Sequence, residues 1–394
     1  MEDQNGLNVV MFPWLAFGHM IPFLELSKAL AKRGHHITYV STPRNLKRLP
    51  PLPPHLTQTI TFVALPFPSI ENLPDQAEAT SDLPLESVEY LKKAYDELKT
   101  PFTTTLLSVR PDWIIHDFAS YWLPDVASEL GVPCAYFSIF PPAPLAVWEP
   151  FLSSRCAPPE ELLERLTSPP EIADFPTKVS NLPFEAKQLL DFVFAVNATG
   201  VSDALRMRTS VRRCRALLVR GCHEFESDWL ALLAKLYETR IVPVGLLTPS
   251  TEEDSTREDD PKVFEWLDKQ PQKSVVYVAF GSEAHPSGEQ ARELALGLEA
   301  SGLDAWMPSR FEERIKGRGF VQKGWVPQNK ILAHEAVGGF LTHSGWGSVI
   351  EAMQFGVPLV FFPMVADQGI NARVFGEKGI GVELRCRGTG RMGP

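Results

Sequence analysis

Along the first half of the chain, short apolar runs alternate with stretches of helical spacing. Asn8–Pro13, His36–Thr42, Ile60–Leu65, Trp113–His116 and Cys134–Ile139 are brief and strand-like, and prolines such as Pro13, Pro43, Pro66 and Pro141 fall where these runs end. Such segments predict buried strands. Phe23, Leu26 and Leu30 recur at helical spacing over Phe23–Arg33, with Gly34 as a stop, and Leu123–Leu130 predicts a helix ended by Gly131. Strand and helix in alternation imply a parallel sheet covered on both faces. The second half resumes the pattern, with strands over Ser274–Phe280, Gly338–Thr342 and Val357–Pro363 and helices over Glu289–Ser301 and about Trp346–Phe355. Residues 248–261, TPSTEEDSTREDDP, hold six acidic residues and no large apolar one, so a solvated linker is expected there. It divides an N-terminal domain over 1–247 from a C-terminal domain over 262–394. One strand position is poorly filled. Leu303–Met307 contains Asp304 and precedes Pro308, and the tail 385–394, RCRGTGRMGP, has no pattern, so the C-terminal domain is expected to be incomplete.

Composition narrows the chemistry. With 38 basic against 48 acidic residues the net charge is −10, which argues against nucleic acid as a partner. Five cysteines with no CxxC pair speak against a disulfide framework or zinc site and fit a reducing compartment. No Asp-x-Asp, no HExxH, no P-loop and no GxSxG occurs, so a metal-free site is expected. The acidic N-terminus is not a signal peptide, and no apolar stretch approaches the ~18 residues of a membrane span. A cytoplasmic monomer is the expectation.

Ligands of open parallel sheets sit outside the carboxyl ends of the strands. Polar residues collect at those positions: His19 after the first strand, Asp117 after 113–116, Gly281-Ser282 after 274–280, His343-Ser344-Gly345 after 338–342, and Asp367-Gln368 after 357–363. His19 either caps a turn or serves as a general base, because an imidazole is available near pH 7. Asp117 either caps a helix or orients and stabilises that histidine. The run His343-Ser344-Gly345-Trp346-Gly347-Ser348 opens a helix, where small residues and free N–H groups favour a phosphate. Glu351 either accepts sugar hydroxyls or is a solvated helix carboxylate. Trp325 either packs in a core or stacks on a base.

The segment Trp325–Gln368, WVPQNKILAHEAVGGFLTHSGWGSVIEAMQFGVPLVFFPMVADQ, resembles without a gap the signature of plant UDP-dependent glycosyltransferases of secondary metabolism. FPWLAFGHMIPFLELSKALAKRGHHITYVST and PDWIIHDF resemble the family's histidine loop and aspartate region. The resemblance implies a GT-B fold, two Rossmann-like domains with parallel sheets facing across a cleft. It further implies an inverting, metal-independent hexose transfer from a UDP-sugar to a small-molecule acceptor, with His19 as base and Asp117 as its stabiliser. Trp325, Val326 and Gln328 would hold the uridine, Glu351 the ribose, and Ser282, His343 and Ser348 the phosphates. Trp346, Asp367 and Gln368 would contact the sugar. Phe17, Phe118, Tyr121, Trp122, Phe140 and Trp148 are candidates for an apolar acceptor pocket. The opening residues resemble the branch-forming subgroup, which adds glucose or rhamnose to a sugar already on a flavonoid or terpenoid. Gly347 stands where the family usually has Asn, and the family's last helices have no counterpart here. With the poorly filled strand, these departures keep a catalytically silent nucleotide-sugar-binding relative as the alternative.

Overall fold

The computed structural model describes residues 6–149, 152, 158–170, 175, 177–249, 261–281, 292–294, 296–297, 319–322 and 326–384. Ser282, Trp325, most of the expected linker, the stretch 303–307, the tail 385–394 and most of the helix expected over 289–301 lie outside the described residues.

Two compact units make up the chain. One runs to Leu247 and also takes in Val365–Val374; the other spans Thr248–Met364 and resumes at Phe375. The first is built on seven parallel strands: β1 (Asn8–Phe12), β2 (His36–Ser41), β3 (Ile60–Ala64), β4 (Trp113–His116), β5 (Cys134–Ser138), β6 (Ala216–Val219) and β7 (Arg240–Pro243). Their order is β3-β2-β1-β4-β5-β6-β7. The chain winds outward from β1 in one direction, then returns to place β4 on its other side. The β1/β4 boundary is therefore the topological switch point, where open α/β sheets bind ligands. Register fixes what meets there: Phe12 pairs with His116, so the residues following each strand emerge side by side.

The central strands of this sheet are buried, which explains their continuous apolar runs, while β3 and β7 at its edges are partly exposed. Val10, Met11, Phe12, Ile114 and Phe137 have no solvent exposure. Phe12 stacks on Tyr95 and Phe102 at centroid distances of 4.9 and 4.2 Å. Tyr95 donates its hydroxyl to the Pro13 carbonyl (3.1 Å), so the aromatic cluster anchors the turn that leaves β1.

The second unit carries β8 (Val275–Ala279), β9 (Val337–Thr342), β10 (Leu359–Phe361) and β11 (Gly381–Glu383), parallel and in the order β11-β10-β9-β8. Ala279 pairs with Thr342, and Thr342 with Phe361, so the loops after these strands share one edge.

Several local expectations shift. The first helix spans Phe17–Ala31 and passes through Pro22, whereas spacing alone predicts a start at Phe23. Pro22 forfeits the bond that the Gly18 carbonyl would have accepted, and the helix continues through it. His19 thus lies in the first helical turn rather than in a preceding loop. Strands β6, β7 and β11 have no counterpart in the sequence expectations; they span only 4, 4 and 3 residues and show no diagnostic periodicity. Among the described residues no helix is long and apolar enough to cross a membrane.

Candidate active site

At the switch point, His19 Nδ1 lies 2.7 Å from Asp117 Oδ2, across 98 residues of sequence. The imidazole is 14% exposed and the carboxylate 1%. Asp117 is fixed from three directions. Its Oδ2 also accepts the Trp14 N–H (3.1 Å), and its Oδ1 accepts the Phe118 N–H (2.7 Å). Those donors compensate a carboxylate that burial alone would disfavour. Its field is felt nearby: burial first, and then the Asp117 charge, push up the phenols of Tyr39, Tyr95 and Tyr136. A carboxylate can only accept, so Nδ1 carries the proton and Nε2 keeps a lone pair.

Of the six aromatics proposed for an acceptor pocket, two flank this histidine. Phe118 and Phe140 lie 5.7 and 6.4 Å from the His19 ring and are half-buried. Trp148 packs edge-on to Phe140, and Trp122 belongs to the core beside Phe12 and Phe102. Phe17 is buried beneath the Arg48 guanidinium, and the half-buried Tyr121 ring lies under that of Arg206.

In the second unit a tight cradle follows β9. Gly281 has φ +73°, and a Cβ there would fall 2.8 Å from His343 Cε1. A Cβ on Gly345 would fall 2.3 Å from His343 Nε2. Two glycines therefore make room for one imidazole. Ser344, between His343 and Gly345, is fully buried and left-handed at φ 69°, a conformation costly for a residue with a Cβ. Burial pushes the His343 imidazole down to about 4, so it is neutral at pH 7. Helix Trp346–Gln354 starts directly after, with Gly345 at its N-cap.

One helical turn along, Ser348 and Glu351 share a face. Gln328 Nε2 donates to Ser348 Oγ (3.1 Å) and to Glu351 Oε2 (2.6 Å), and the Tyr277 hydroxyl reaches Gln328 Oε1 (3.4 Å). Four positions separated along the chain thus form one polar network.

Residues 253–391 match the model of the UDP-glucoronosyl and UDP-glucosyl transferase family. The chain is 44% identical over 401 residues to UDP-glycosyltransferase 91C1 of Arabidopsis thaliana, covering 97% of this chain and 85% of that protein. It is 38% identical to soyasaponin III rhamnosyltransferase of Glycine max, with 97% and 84% covered. The crystal structure of Arabidopsis thaliana UGT89C1 complexed with UDP-L-rhamnose aligns at a TM-score of 0.71 and 28% identity, covering 96% of this chain and 84% of that one. The chain belongs to the UDP-glycosyltransferase family.

The two parallel sheets of this glycosyltransferase are the two Rossmann-like domains of the GT-B class. The structure brings His19 together with Asp117, and Gln328 with Ser348 and Glu351. Gly347 lies in the first turn of helix Trp346–Gln354, and Val326 precedes the short helix Gln328–Leu332. Asp367 and Gln368 are buried where the loop after β10 enters helix Gln368–Glu377. Asp367 Oδ2 accepts from Asn371 (2.7 Å), while Gln368 Oε1 accepts the Val365 N–H (2.9 Å). Burial raises the Asp367 carboxyl to about 6. The Trp346 indole is 4% exposed and stacks on Phe375 at 5.2 Å, packed on the apolar face of its helix.

Two supports carry no signal in the sequence. Arg206, fully buried, binds both oxygens of Asp96 (2.7 and 2.5 Å) and donates to the Ala119 carbonyl (2.6 Å), holding the loop after Asp117. Glu185 accepts from Arg373 (2.5 Å) and from the Leu182 N–H (2.8 Å), which fixes the segment bearing Asp367 and Gln368. In each case the charged partners lie over 100 residues apart, beyond any local pattern.

Proposed function

We propose that this glycosyltransferase moves a hexose from a UDP-sugar to a hydroxyl of a small plant glycoside, inverting the anomeric centre without a metal ion. The 2.7 Å contact between His19 Nδ1 and Asp117 Oδ2 carries this reading. With its proton held at Nδ1, His19 takes the acceptor's hydroxyl proton on Nε2 while that oxygen attacks the anomeric carbon. Asp117 stabilises the resulting imidazolium. The bond to UDP breaks, and its electron pair goes to the diphosphate.

That charge needs fixed donors. The backbone N–H groups opening helix Trp346–Gln354, the neutral His343, Ser348 and, by resemblance, Ser282 supply them. Gln328 fixes the Glu351 carboxylate that accepts the ribose hydroxyls. Trp325 and Val326 take the base. Asp367 and Gln368 accept sugar hydroxyls, and Trp346 contributes its backbone N–H rather than its indole. The soyasaponin III rhamnosyltransferase and the UDP-L-rhamnose complex support rhamnose as donor, and the matching family model supports glucose. The first of these, with the branch-forming resemblance, supports an acceptor that already bears a sugar.

The test is incubation with UDP-glucose or UDP-rhamnose and a panel of flavonoid and saponin monoglycosides. UDP release, product mass and the anomeric proton coupling are read. Transfer with inversion, abolished in His19→Ala, is the expected result. UDP that raises the melting temperature, with no transfer from any pair, would establish the catalytically silent relative instead.

A further inference from the structure

Beside the strand that delivers Asp117, three side chains converge that this reaction does not use. His116 ends β4, Cys134 begins β5, and Cys214 caps helix Asp203–Arg213 just before β6. His116 Nε2 lies 3.1 Å from Cys214 Sγ, and the two sulfurs are 3.6 Å apart. Each of the three residues offers a ligand atom, all within 4.8 Å of one another, and all three residues are buried, at 0, 5 and 7% exposure.

The imidazole is set for coordination. His116 Nδ1 lies 2.8 Å from the Asp117 carbonyl oxygen and 3.0 Å from Ser120 Oγ. A carbonyl only accepts, so the proton is on Nδ1 and the lone pair of Nε2 faces the sulfurs. A histidine that ligates a metal characteristically gives its other N–H to a carbonyl or carboxylate in this way. The 3.6 Å between the sulfurs also fits, and the 3.1 Å His116–Cys214 contact would open by only about half an ångström. Zinc–sulfur bonds of ~2.3 Å and zinc–nitrogen bonds of ~2.0 Å at tetrahedral angles separate ligand atoms by about 3.5–3.8 Å. The charges balance, since two thiolates and a neutral imidazole cancel a divalent cation, which is what a buried site requires.

We propose that His116, Cys134 and Cys214 form a site for one thiophilic divalent cation of the zinc–cadmium type, with water as fourth ligand. Binding releases the two thiol protons to solvent. The ion ties β4 to β5 and to the approach of β6, and so braces the strand from which Asp117 emerges. It takes no part in sugar transfer.

The test uses the reduced, chelator-stripped full chain titrated with cadmium. A thiolate-to-cadmium charge-transfer band saturating at one equivalent, with a rise in melting temperature, is expected, and zinc should compete it away. Cys222→Ser, outside the cluster, should keep the band. Cys134→Ser and Cys214→Ser should each weaken binding by more than about a hundredfold. Absence of a saturable band in the reduced protein, or its survival when both cysteines are replaced, overturns the proposal. Should the serine variants not fold, anomalous scattering from cadmium-loaded crystals decides. A peak among the three residues supports the site, and a loaded protein without one overturns it. Mass spectrometry showing a Cys134–Cys214 disulfide, two hydrogens lighter, in protein prepared under reducing conditions would also overturn it, because both ligands would be consumed.

Discussion

Each unit places a histidine just beyond a strand end, and the two have contrasting surroundings. His19 is partly exposed and leans on a buried carboxylate that two backbone N–H groups hold in place. His343 meets no such carboxylate among the described residues; two glycines fit around it, and burial keeps it neutral. The first sets a carboxylate against one ring nitrogen and leaves the other its lone pair, the arrangement the proposed base requires. Burial disfavours a proton on the second, which suits the proposed role of a fixed hydrogen-bond donor beside a phosphate. On the proposed reading, the same side chain becomes base or donor according to its neighbours.

The largest expected effect tests the first half of that contrast. His19→Ala should lower turnover by about a thousandfold while leaving UDP affinity unchanged. A parallel loss of UDP binding, measured by calorimetry, would mean that His19 is not confined to the chemical step. Asp117→Asn should cost roughly a hundredfold in turnover, again with little change in UDP affinity. Equal UDP affinity and equal turnover in Asp117→Asn would remove the carboxylate from the mechanism.

Gly345→Ala tests the other half. Its Cβ would displace the His343 ring, so UDP should bind at least tenfold more weakly, about 1.4 kcal/mol. Turnover at saturating donor should fall much less. Gly281→Ala should act in the same direction, with the added strain of φ +73°. A variant at either glycine with full UDP affinity would show that the imidazole need not sit where the glycines allow it.

The legible parts of this molecule were those written locally. His19 and Asp117 each follow an apolar run, and strand alternation alone placed both at the mouth of one sheet. Gly345 and its neighbours announced a helix start. What escaped depended on distance or on tertiary context. The Arg206–Asp96 and Glu185–Arg373 pairs join residues 110 and 188 positions apart. Short strands such as β11 exist because neighbours supply their hydrogen bonds, not because three residues prefer to be extended. The Trp346 indole points into the core because Phe375 is there to meet it. His116, Cys134 and Cys214 have no recognisable metal spacing, because a sheet, not a loop, gathers them.

The expected effect that nearly vanishes in the wild-type protein concerns pH, and it sets His343 against Asp367. The folded His343 titrates at about 4 against 6.5 when exposed, so between those values only the unfolded chain takes the proton. The stability it contributes is complete above 6.5 and is lost as pH falls toward 4. Asp367 behaves oppositely. Its folded value of about 6 against 3.8 means that the folded chain holds a proton which the unfolded chain has released. That stability is complete below 3.8 and is lost as pH rises through 6. At ~1.4 kcal/mol per unit each amounts to roughly 3 kcal/mol, so from pH 4 to 6 the two slopes nearly cancel. Asp367→Asn removes only the falling one. Measured by urea unfolding at several pH values, the variant should gain stability relative to wild type as pH rises from 4 to 6. Identical slopes for the two would mean that Asp367 is ionised throughout, and that its burial is compensated by partners better than Asn371 alone.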